Sequence, residues 1–238
     1  MPRRAALLVC AALLAAAPAA RGGTLADLEA EQTALFDRVA PAVAVLSAGG
    51  AIGAGFAVAP GLLLTAAHLV RDAREVQVLL RDGRTFRGEV VERAASGLDV
   101  ALVRIPASPP LLDLAPSAPL RPGIIVATVG HPDANRYTLG TGLVAQAQDD
   151  GPDPSLLRLQ LPLRPGASGA PLVDRSGRVV GVVALGAPGT VAFAVRIEAA
   201  VRALAGLAHV PIASGAPVAA APPVPNAVPL SAPGNAPP

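Results

Sequence analysis

The chain has 238 residues, of which 52% are hydrophobic, 15% charged and 2% aromatic, so we expect one domain with appendages and a largely aliphatic core. Its 19 basic residues, all arginine, and its 17 acidic residues give a net charge of +2. The arginines form no cluster of the kind that neutralises phosphates, which excludes nucleic acid as an expected partner.

Residues 1–20 predict a secretory signal peptide. Arg3 and Arg4 precede an apolar run of about 13 residues, and small residues follow that run. The run is shorter than the ~20 residues that span a bilayer, so we expect cleavage and no stable membrane insertion. Cleavage also removes Cys10, the single cysteine, and leaves 17 basic against 17 acidic residues. An exported protein, periplasmic or secreted, without a disulfide is therefore expected.

Residues 21–40 predict a leader helix. Leu25, Leu28 and Leu35 recur at helical spacing among acidic residues, Thr24 suits the N-cap, and the helix ends before the next proline. Such a helix could pack on the fold or support a homo-oligomer, and the sequence leaves both uses open.

Residues 41–209 predict an all-β domain. Twelve short apolar or alternating runs occur between residues 43 and 195, separated by Gly, Pro and Asp, which is typical of a barrel or a sandwich. A proline-dense gap at residues 106–122 divides the runs into two groups of six. We therefore place two halves at about 41–105 and 123–195, followed by a short helix. Residues 210–238, rich in proline and alanine and without charge, predict a disordered tail.

Three polar residues, His68, Asp99 and Ser168, follow or precede predicted strands in that chain order. A serine hydroxyl is a poor nucleophile until an imidazole removes its proton, and the imidazole needs a carboxylate to fix its tautomer. The three residues can act together only if the two halves of the fold meet. The histidines at 68, 131 and 209 have no zinc-ligand spacing, so no metal or other cofactor is expected.

The motifs around these residues resemble those of the trypsin-like serine peptidases, and of their HtrA (Deg) branch in particular. The resemblance covers about residues 40–207. It is carried by four segments in order, which are GAGF at 53–56, TAAH at 65–68, DVAL at 99–102 and GASGAP at 166–171. Each segment alone is a weak signal, but the ordered set is specific. HtrA proteins usually carry a PDZ domain after the protease, and here only the proline-rich tail follows, so we expect a branch lacking a PDZ domain.

The resemblance implies two six-stranded antiparallel β-barrels with short N-terminal and C-terminal helices and a catalytic cleft between the barrels. It assigns His68 as general base, Asp99 as its orienting partner and Ser168 as nucleophile. The backbone N–H groups of Gly166 and Ser168 would form the oxyanion hole. Polypeptides would be the substrates, and no cofactor would be needed.

The resemblance also implies which residues contact the substrate. Ala184, Leu185 and Gly186 fall on the substrate-binding strand, and Pro162 falls where trypsin-type enzymes carry an acid at the pocket floor. Selection for Arg or Lys is therefore not implied, and a small apolar residue such as Val or Ala is expected at the cleaved position.

Two alanines depart from the family pattern. Ala170 replaces a glycine, and a positive φ at that position would strain the oxyanion hole. Ala184 lacks the hydroxyl that often supports the catalytic aspartate. Two functions therefore stay open. One is an exported endopeptidase that acts through an acyl-enzyme in protein quality control or processing, and the other is a catalytically impaired fold that binds peptides or serves as a scaffold.

Overall fold

The computed structural model describes residues 24–117, 120–146, 153–186 and 191–212. The predicted signal peptide and most of the predicted tail lie outside these ranges. The chain divides into two compact units, one ending at Arg38 and the other beginning at Val39. In the described ranges, no helix combines the length and the hydropathy needed to cross a membrane.

The first unit contains nearly all of helix α1, Leu25–Val39. Thr24 and Asp27 cap its first turn reciprocally. The backbone N–H and Oγ1 of Thr24 donate to Asp27 Oδ2 at 2.7 and 2.8 Å, and the Asp27 N–H donates to Thr24 Oγ1 at 3.2 Å. These bonds satisfy N–H groups that the first turn of a helix leaves without partners.

The second unit begins with a short 3-10 helix, Ala40–Ala42, followed by the first barrel. Its strands are β1 Val43–Ala48, β2 Ala51–Ala59, β3 Leu62–Thr65, β4 Glu75–Leu80, β5 Thr85–Arg93 and β6 Ala101–Arg104. They pair antiparallel in the order β1-β2-β3-β6-β5-β4, and β4 returns to β1, so the barrel has no free edge. Helix α2, Ala67–Val70, follows β3.

Small and medium aliphatic side chains fill the first barrel, as the aromatic-poor sequence requires. The buried members of this core are Ala44, Leu46, Ala57, Leu63, Leu69, Val70, Val76, Val78, Leu80, Ala101, Val103 and Ile105. Nine of the twelve are Val, Leu or Ile, and those that lie on strands occupy alternating positions, which fill a small barrel densely.

The second barrel has the same strand count. Its strands are β7 Ile125–Gly130, β8 Thr138–Gln146, β9 Leu156–Gln160, β10 Pro171–Val173, β11 Val179–Gly186 and β12 Val191–Arg196. They close in the order β10-β11-β12-β9-β8-β7. Helix α3, Ile197–Ala203, and a 3-10 helix, Ala205–Leu207, follow β12. The predicted fold class, two six-stranded antiparallel barrels with few helices, is confirmed.

The segment between β6 and β7 is bonded to both barrels. The Leu112 N–H donates to Ala57 O in β2 at 3.1 Å. On the other side, the Ala115 N–H donates to Val179 O, and the Val179 N–H donates to Asp113 O, both at 2.8 Å. The connection therefore holds the two barrels together as well as joining them in sequence.

A second link joins the first barrel to the C-terminal helices. Glu92 in β5 accepts hydrogen bonds from the backbone N–H groups of Ala205, at 2.7 Å, and Gly206, at 2.8 Å. These N–H groups start a 3-10 helix and have no partner within it. The carboxylate of Glu92 therefore satisfies them from 113 and 114 residues away in sequence.

Candidate active site

Strand register brings His68 and Asp99 to the same end of the first barrel. Strands β3 and β6 are antiparallel, and Thr65 is paired with Ala101. His68 lies three residues after Thr65, and Asp99 lies two residues before Ala101. Because antiparallel partners run in opposite directions, the end of β3 and the start of β6 lie side by side, and His68 and Asp99 lie at the same end of the barrel.

Two hydrogen bonds join His68 to Asp99. The ring Nδ1 lies 2.6 Å from Asp99 Oδ2, and the His68 backbone N–H donates to Asp99 Oδ1 at 2.8 Å. The side chains are 29% and 25% exposed, so both are largely withdrawn from water. An ionised carboxylate can only accept, so Nδ1 carries the proton and the lone pair on Nε2 is available.

The pKa of Asp99 lies below its usual range as a balance of opposing effects. Burial, the largest effect, acts to raise the pKa because it disfavours the charged form. The hydrogen bonds from the His68 ring and backbone, with a smaller contribution from the Ala67 backbone, outweigh burial. Asp99 is therefore ionised at neutral pH, as an acceptor of the hydrogen bond from His68 Nδ1–H must be.

Ser168 is held in a turn that contacts both barrels. The carbonyl oxygen of Ser168 accepts from the Ala54 N–H in β2 at 2.8 Å, and the Gly169 N–H donates to Val183 O in β11 at 2.8 Å. Gly169 has a φ of +79°, and a Cβ there would overlap Ala54 O and Thr65 Oγ1. Only glycine fits directly after the serine.

Two of the three backbone N–H groups at residues 166–168 have no acceptor among the described residues. The Ala167 N–H donates to Arg164 O at 3.1 Å. In the described ranges, the N–H groups of Gly166 and Ser168 on either side of it donate to no protein acceptor. Gly166 has a φ of +102°. The turn thus presents two donors, one residue apart, that are available to a bound group.

His68 and Ser168 line one cleft of about 250 Å³. Its walls are formed by Ala51, Ile52, His68, Leu69, Leu163, Arg164, Pro165, Gly166, Ala167, Ser168 and Ala184. Within the described part of the chain, no hydrogen bond joins Ser168 Oγ to the His68 ring. The same part of the chain holds no group of three or more His, Cys, Asp or Glu side chains placed to bind a metal.

The residues expected to contact substrate are distributed unevenly around this cleft. Ala184 lines the cleft and is 9% exposed. Pro162 is exposed, and the next residue, Leu163, lines the cleft in its place. Leu185 and Gly186 end strand β11, and their side chains lie outside the described part of the structure. The sequence pattern did not single out Leu163, whose only signal was its position beside Pro162.

Ala170 does not carry the strain that a positive φ would impose. Its φ is not positive, its methyl group is buried, and its N–H donates to Ala167 O at 3.1 Å. Gly169 adopts the left-handed conformation instead. The condition under which Ala170 was expected to strain the oxyanion hole, a positive φ, is therefore not met.

His131 lies behind the turn that carries the serine. It is fully buried, and its backbone N–H donates to Gly166 O at 3.1 Å. In the sequence it stands in the segment VGHP at 129–132, one of the features in which the chain resembles the HtrA branch, and the Gly-His-Pro turn predicts a structural or solvated residue. Its contact with Gly166 joins positions 35 residues apart and has no local sequence signal.

Known proteins similar to this chain are serine proteases. Residues 53–182 match the family model described as a trypsin-like peptidase domain. The chain is 34% identical over 155 residues to "Serine protease HTRA1" of Xenopus laevis, covering 61% of this chain and 34% of that protein. It is 36% identical over 153 residues to "Serine protease HTRA2, mitochondrial" of Bos taurus, covering 60% and 33%. The chain spans about a third of the length of such curated relatives.

A bacterial relative and a solved structure agree with these. The chain is 32% identical over 136 residues to "Probable periplasmic serine endoprotease DegP-like" of Halomonas elongata, covering 55% of this chain and 28% of that protein. The inactive form of the Rv3671c protease of M. tuberculosis superposes with a TM-score of 0.64 at 26% identity. The superposition covers 73% of this chain and 92% of that one.

Proposed function

The chain belongs to the trypsin-like peptidase domain family, and from that premise we propose that it is an exported serine endopeptidase acting on protein substrates in quality control or processing. The pattern of residues 1–20 and the DegP-like relative, described as periplasmic, support export. The observation that carries the proposal is that His68, which is hydrogen-bonded to Asp99, lines one cleft together with Ser168.

In the proposed reaction, Nε2 of His68 takes the proton from Ser168 Oγ as the oxygen attacks the scissile carbonyl carbon. Asp99 keeps the ring proton on Nδ1 and stabilises the imidazolium that forms. When the tetrahedral intermediate collapses, the C–N bond breaks and His68 returns the proton to the leaving amine. Water, deprotonated by His68, then hydrolyses the acyl-enzyme and restores the serine.

The N–H groups of Gly166 and Ser168 are the proposed donors to the oxyanion. The negative charge develops on the carbonyl oxygen only as the bond to Ser168 Oγ forms, so donors fixed in advance stabilise the transition state more than the substrate. Their lack of protein acceptors in the described ranges supports this role. Loss of one such donor typically lowers the rate by about 10² to 10³-fold.

The cleft walls favour a small aliphatic side chain at the cleaved position. Leu163, Ala184 and Leu69 are apolar, and the volume of about 250 Å³ limits the size of a bound group. An apolar side chain gains about 25 cal/mol for each Å² removed from water there, whereas a cationic one would lose its hydration in a cleft whose wall residues include Arg164 and no carboxylate.

The proposal is tested by exposing the purified protein to a fluorophosphonate probe and locating the adduct by mass spectrometry. Ser168→Ala and His68→Ala serve as controls. We expect one adduct per chain on Ser168, absent from both variants, because capture requires nucleophile, base and oxyanion donors together. A folded native protein that takes up no probe would contradict the proposal and would favour a peptide-binding or scaffold role.

A further inference from the structure

We propose that His131 is a positioning residue for the oxyanion turn, defined here as residues 164–168, and that it acts as a neutral imidazole with its proton on Nε2. The inference rests on the proposed function, because it concerns the donors Gly166 and Ser168. His131 itself does not line the cleft that holds Ser168.

Hydrogen bonds to the ring assign its tautomer. The Tyr137 backbone N–H points at Nδ1 from 3.1 Å, and Nε2 lies 3.1 Å from Ala44 O in β1. An N–H can only donate and a carbonyl oxygen can only accept, so Nδ1 is bare and Nε2 carries the proton. Because the ring is fully buried, water cannot replace either partner.

The backbone of His131 is paired with the oxyanion turn. The His131 N–H donates to Gly166 O at 3.1 Å, and the Asp133 N–H donates to Pro165 O at 2.8 Å. An ion pair of 2.6 Å between Asp133 Oδ2 and Arg164 Nε lies beside them. His131 O also packs so closely on Gly166 that a Cβ there would overlap it. The His131 N–H therefore holds the Gly166–Ala167 peptide plane, which lies between the two proposed donors, and the Asp133 N–H holds the preceding plane, which bears the Gly166 N–H.

The backbone of the loop after His131 is strained, so hydrogen bonds are needed to hold it in this conformation. Asp133, Ala134 and Tyr137 have φ values of +50°, +64° and +58°, and each left-handed non-glycine residue costs on the order of 1 kcal/mol. The two hydrogen bonds of the His131 ring join this loop to its own residue Tyr137 and to Ala44 in the first barrel. Without them the loop could relax, and the turn paired with it would follow.

The surroundings of the ring disfavour a second proton. Protonation would place an N–H on Nδ1 facing the Tyr137 N–H, so two donors would oppose each other. The Tyr137 ring packs edge-on against His131 at 5.0 Å, and Arg81 lies 5.0 Å over the Tyr137 ring. Burial, the largest effect, lowers the pKa of His131, the hydrogen bond to Ala44 O opposes it, and the charge of Arg136 adds to the lowering. The carboxylate of Asp133, two residues along the chain, is paired with Arg164 and so does not favour a positive charge on the His131 ring.

Three substitutions of His131 test the two hydrogen bonds of its ring, one at a time and together. His131→Asn places an oxygen near the Nδ1 position and keeps the acceptor for Tyr137. His131→Gln places an amide nitrogen near the Nε2 position and keeps the donor to Ala44. His131→Leu removes both, and His209→Leu, at an exposed histidine, is the matched control. Each protein is labelled with the fluorophosphonate over a range of probe concentrations, which separates the rate at saturation from the affinity for the probe.

Misplaced oxyanion donors lower the rate at saturation and leave the affinity nearly unchanged, because the donors act on charge that forms in the transition state. We expect His131→Leu to lower the saturating rate by about 10 to 100-fold, and His131→Asn and His131→Gln by about 3 to 10-fold each. His209→Leu should label at the native rate. Native saturating rates in the Asn and Gln variants would overturn the proposal even if His131→Leu does not fold, and so would a change confined to probe affinity.

A second measurement is independent of catalysis. Ring ¹⁵N shifts should show His131 Nδ1 without a proton, and the amide resonances of Gly166 and Ser168 should move in the His131 variants and not in His209→Leu. A proton on Nδ1, or unmoved Gly166 and Ser168 amides, would overturn the inference. If the native protein takes up no probe but the amides move as expected, the proposed function fails while the positioning role of His131 stands.

Discussion

At the scale of single residues, the small residues next to Ser168 differ in backbone conformation and in the space available for a Cβ. Gly166 and Gly169 both have positive φ and both lie where a Cβ would overlap a backbone oxygen. Ala170, one residue further, accommodates its methyl group in buried space without a positive φ. The turn therefore depends on glycine at two positions, and the alanine that departs from the family pattern is compatible with it.

Substitution of Gly169 by alanine should therefore be far more damaging than substitution of a comparable glycine elsewhere. Gly83 has a φ of +88° but no atom within 4 Å of the place that a Cβ would occupy, so Gly83→Ala measures backbone strain alone, about 1 kcal/mol. Gly169→Ala adds overlap with Ala54 O and should cost at least about 2 kcal/mol more. Urea unfolding of both variants measures the difference, and equal losses would contradict the steric argument.

Asp99→Asn tests the proposed division of roles between Asp99 and His68. An asparagine can present its N–H₂ to Nδ1, which favours the ring tautomer with the proton on Nε2 and no free base. We expect the rate of fluorophosphonate labelling at neutral pH to fall by about 10³ to 10⁴-fold with little loss of stability. Asp72→Asn, at an exposed carboxylate near α2, should label at the native rate. A fall of less than tenfold for Asp99→Asn would contradict the assignment.

The sequence predicted the candidate site unevenly at this scale. His68, Asp99 and Ser168 stand in long local motifs, so the pattern singled them out. Leu163 stands in no motif, and the VGHP motif of His131 predicts a structural or solvated residue, so neither pattern indicates the contacts that the tertiary fold gives these residues. The strand order and pairing that create those contacts are not properties of any local segment.

At the scale of elements, strand register decides which distant residues meet. The antiparallel pairing of β3 with β6 aligns Thr65 with Ala101, which brings His68 within hydrogen-bonding distance of Asp99. A shift by one residue would exchange the two faces of each strand and separate the pair. The sequence indicated strands and turns by alternation and by Gly, Pro and Asp, but β3 pairs with β6 rather than β4, and this crossover was available only from the family resemblance.

The hydrogen bonds from Ala205 and Gly206 to Glu92 should stabilise the folded protein. Glu92→Ala leaves the Ala205 and Gly206 N–H groups without their acceptor, and we expect the free energy of unfolding to fall by about 1 to 2 kcal/mol. Glu89→Ala, on the same strand, removes an ion pair with Arg104 in which both side chains are more than 60% exposed. That control should change stability by less than about 0.5 kcal/mol. Equal effects in chemical denaturation would show that the link stabilises nothing.

At the scale of the whole molecule, the two barrels contribute different parts of the site. The first supplies His68 and Asp99, and the second supplies the turn with Ser168. Among the described residues, the Ala54 N–H donates to Ser168 O and His131 Nε2 donates to Ala44 O, and both hydrogen bonds cross between the barrels. The sequence indicated two halves through its proline-dense gap. The crossing contacts depend on how the halves pack, which composition and periodicity do not specify.

Because His131 connects the barrels while buried, the stability of the protein should depend on pH in a defined window. In the unfolded chain His131 titrates near 6.5, and in the folded protein burial lowers its pKa, because burial and the charge of Arg136 together outweigh the opposing hydrogen bond to Ala44 O. Between those two values the unfolded chain binds more protons. The free energy of unfolding must therefore fall as the pH decreases below 6.5, by up to about 1.4 kcal/mol per pH unit from this group, and level off below the folded pKa.

Asp99 affects the free energy of unfolding in a separate range of pH, so the effect of His131 can be measured without a contribution from Asp99. Its folded pKa is depressed, so its stabilisation is fully present above the ordinary value of 3.8 and is lost only as the pH falls through the folded pKa. Urea unfolding between pH 6.5 and about pH 5 thus reports on His131 with Asp99 unchanged. The slope of stability against pH should be shallower in His131→Gln than in the native protein, whatever the absolute stability of the variant, because glutamine does not titrate. Equal slopes would mean that His131 is protonated as readily in the folded protein as in the unfolded chain, which its burial against Tyr137 and Ala44 argues against.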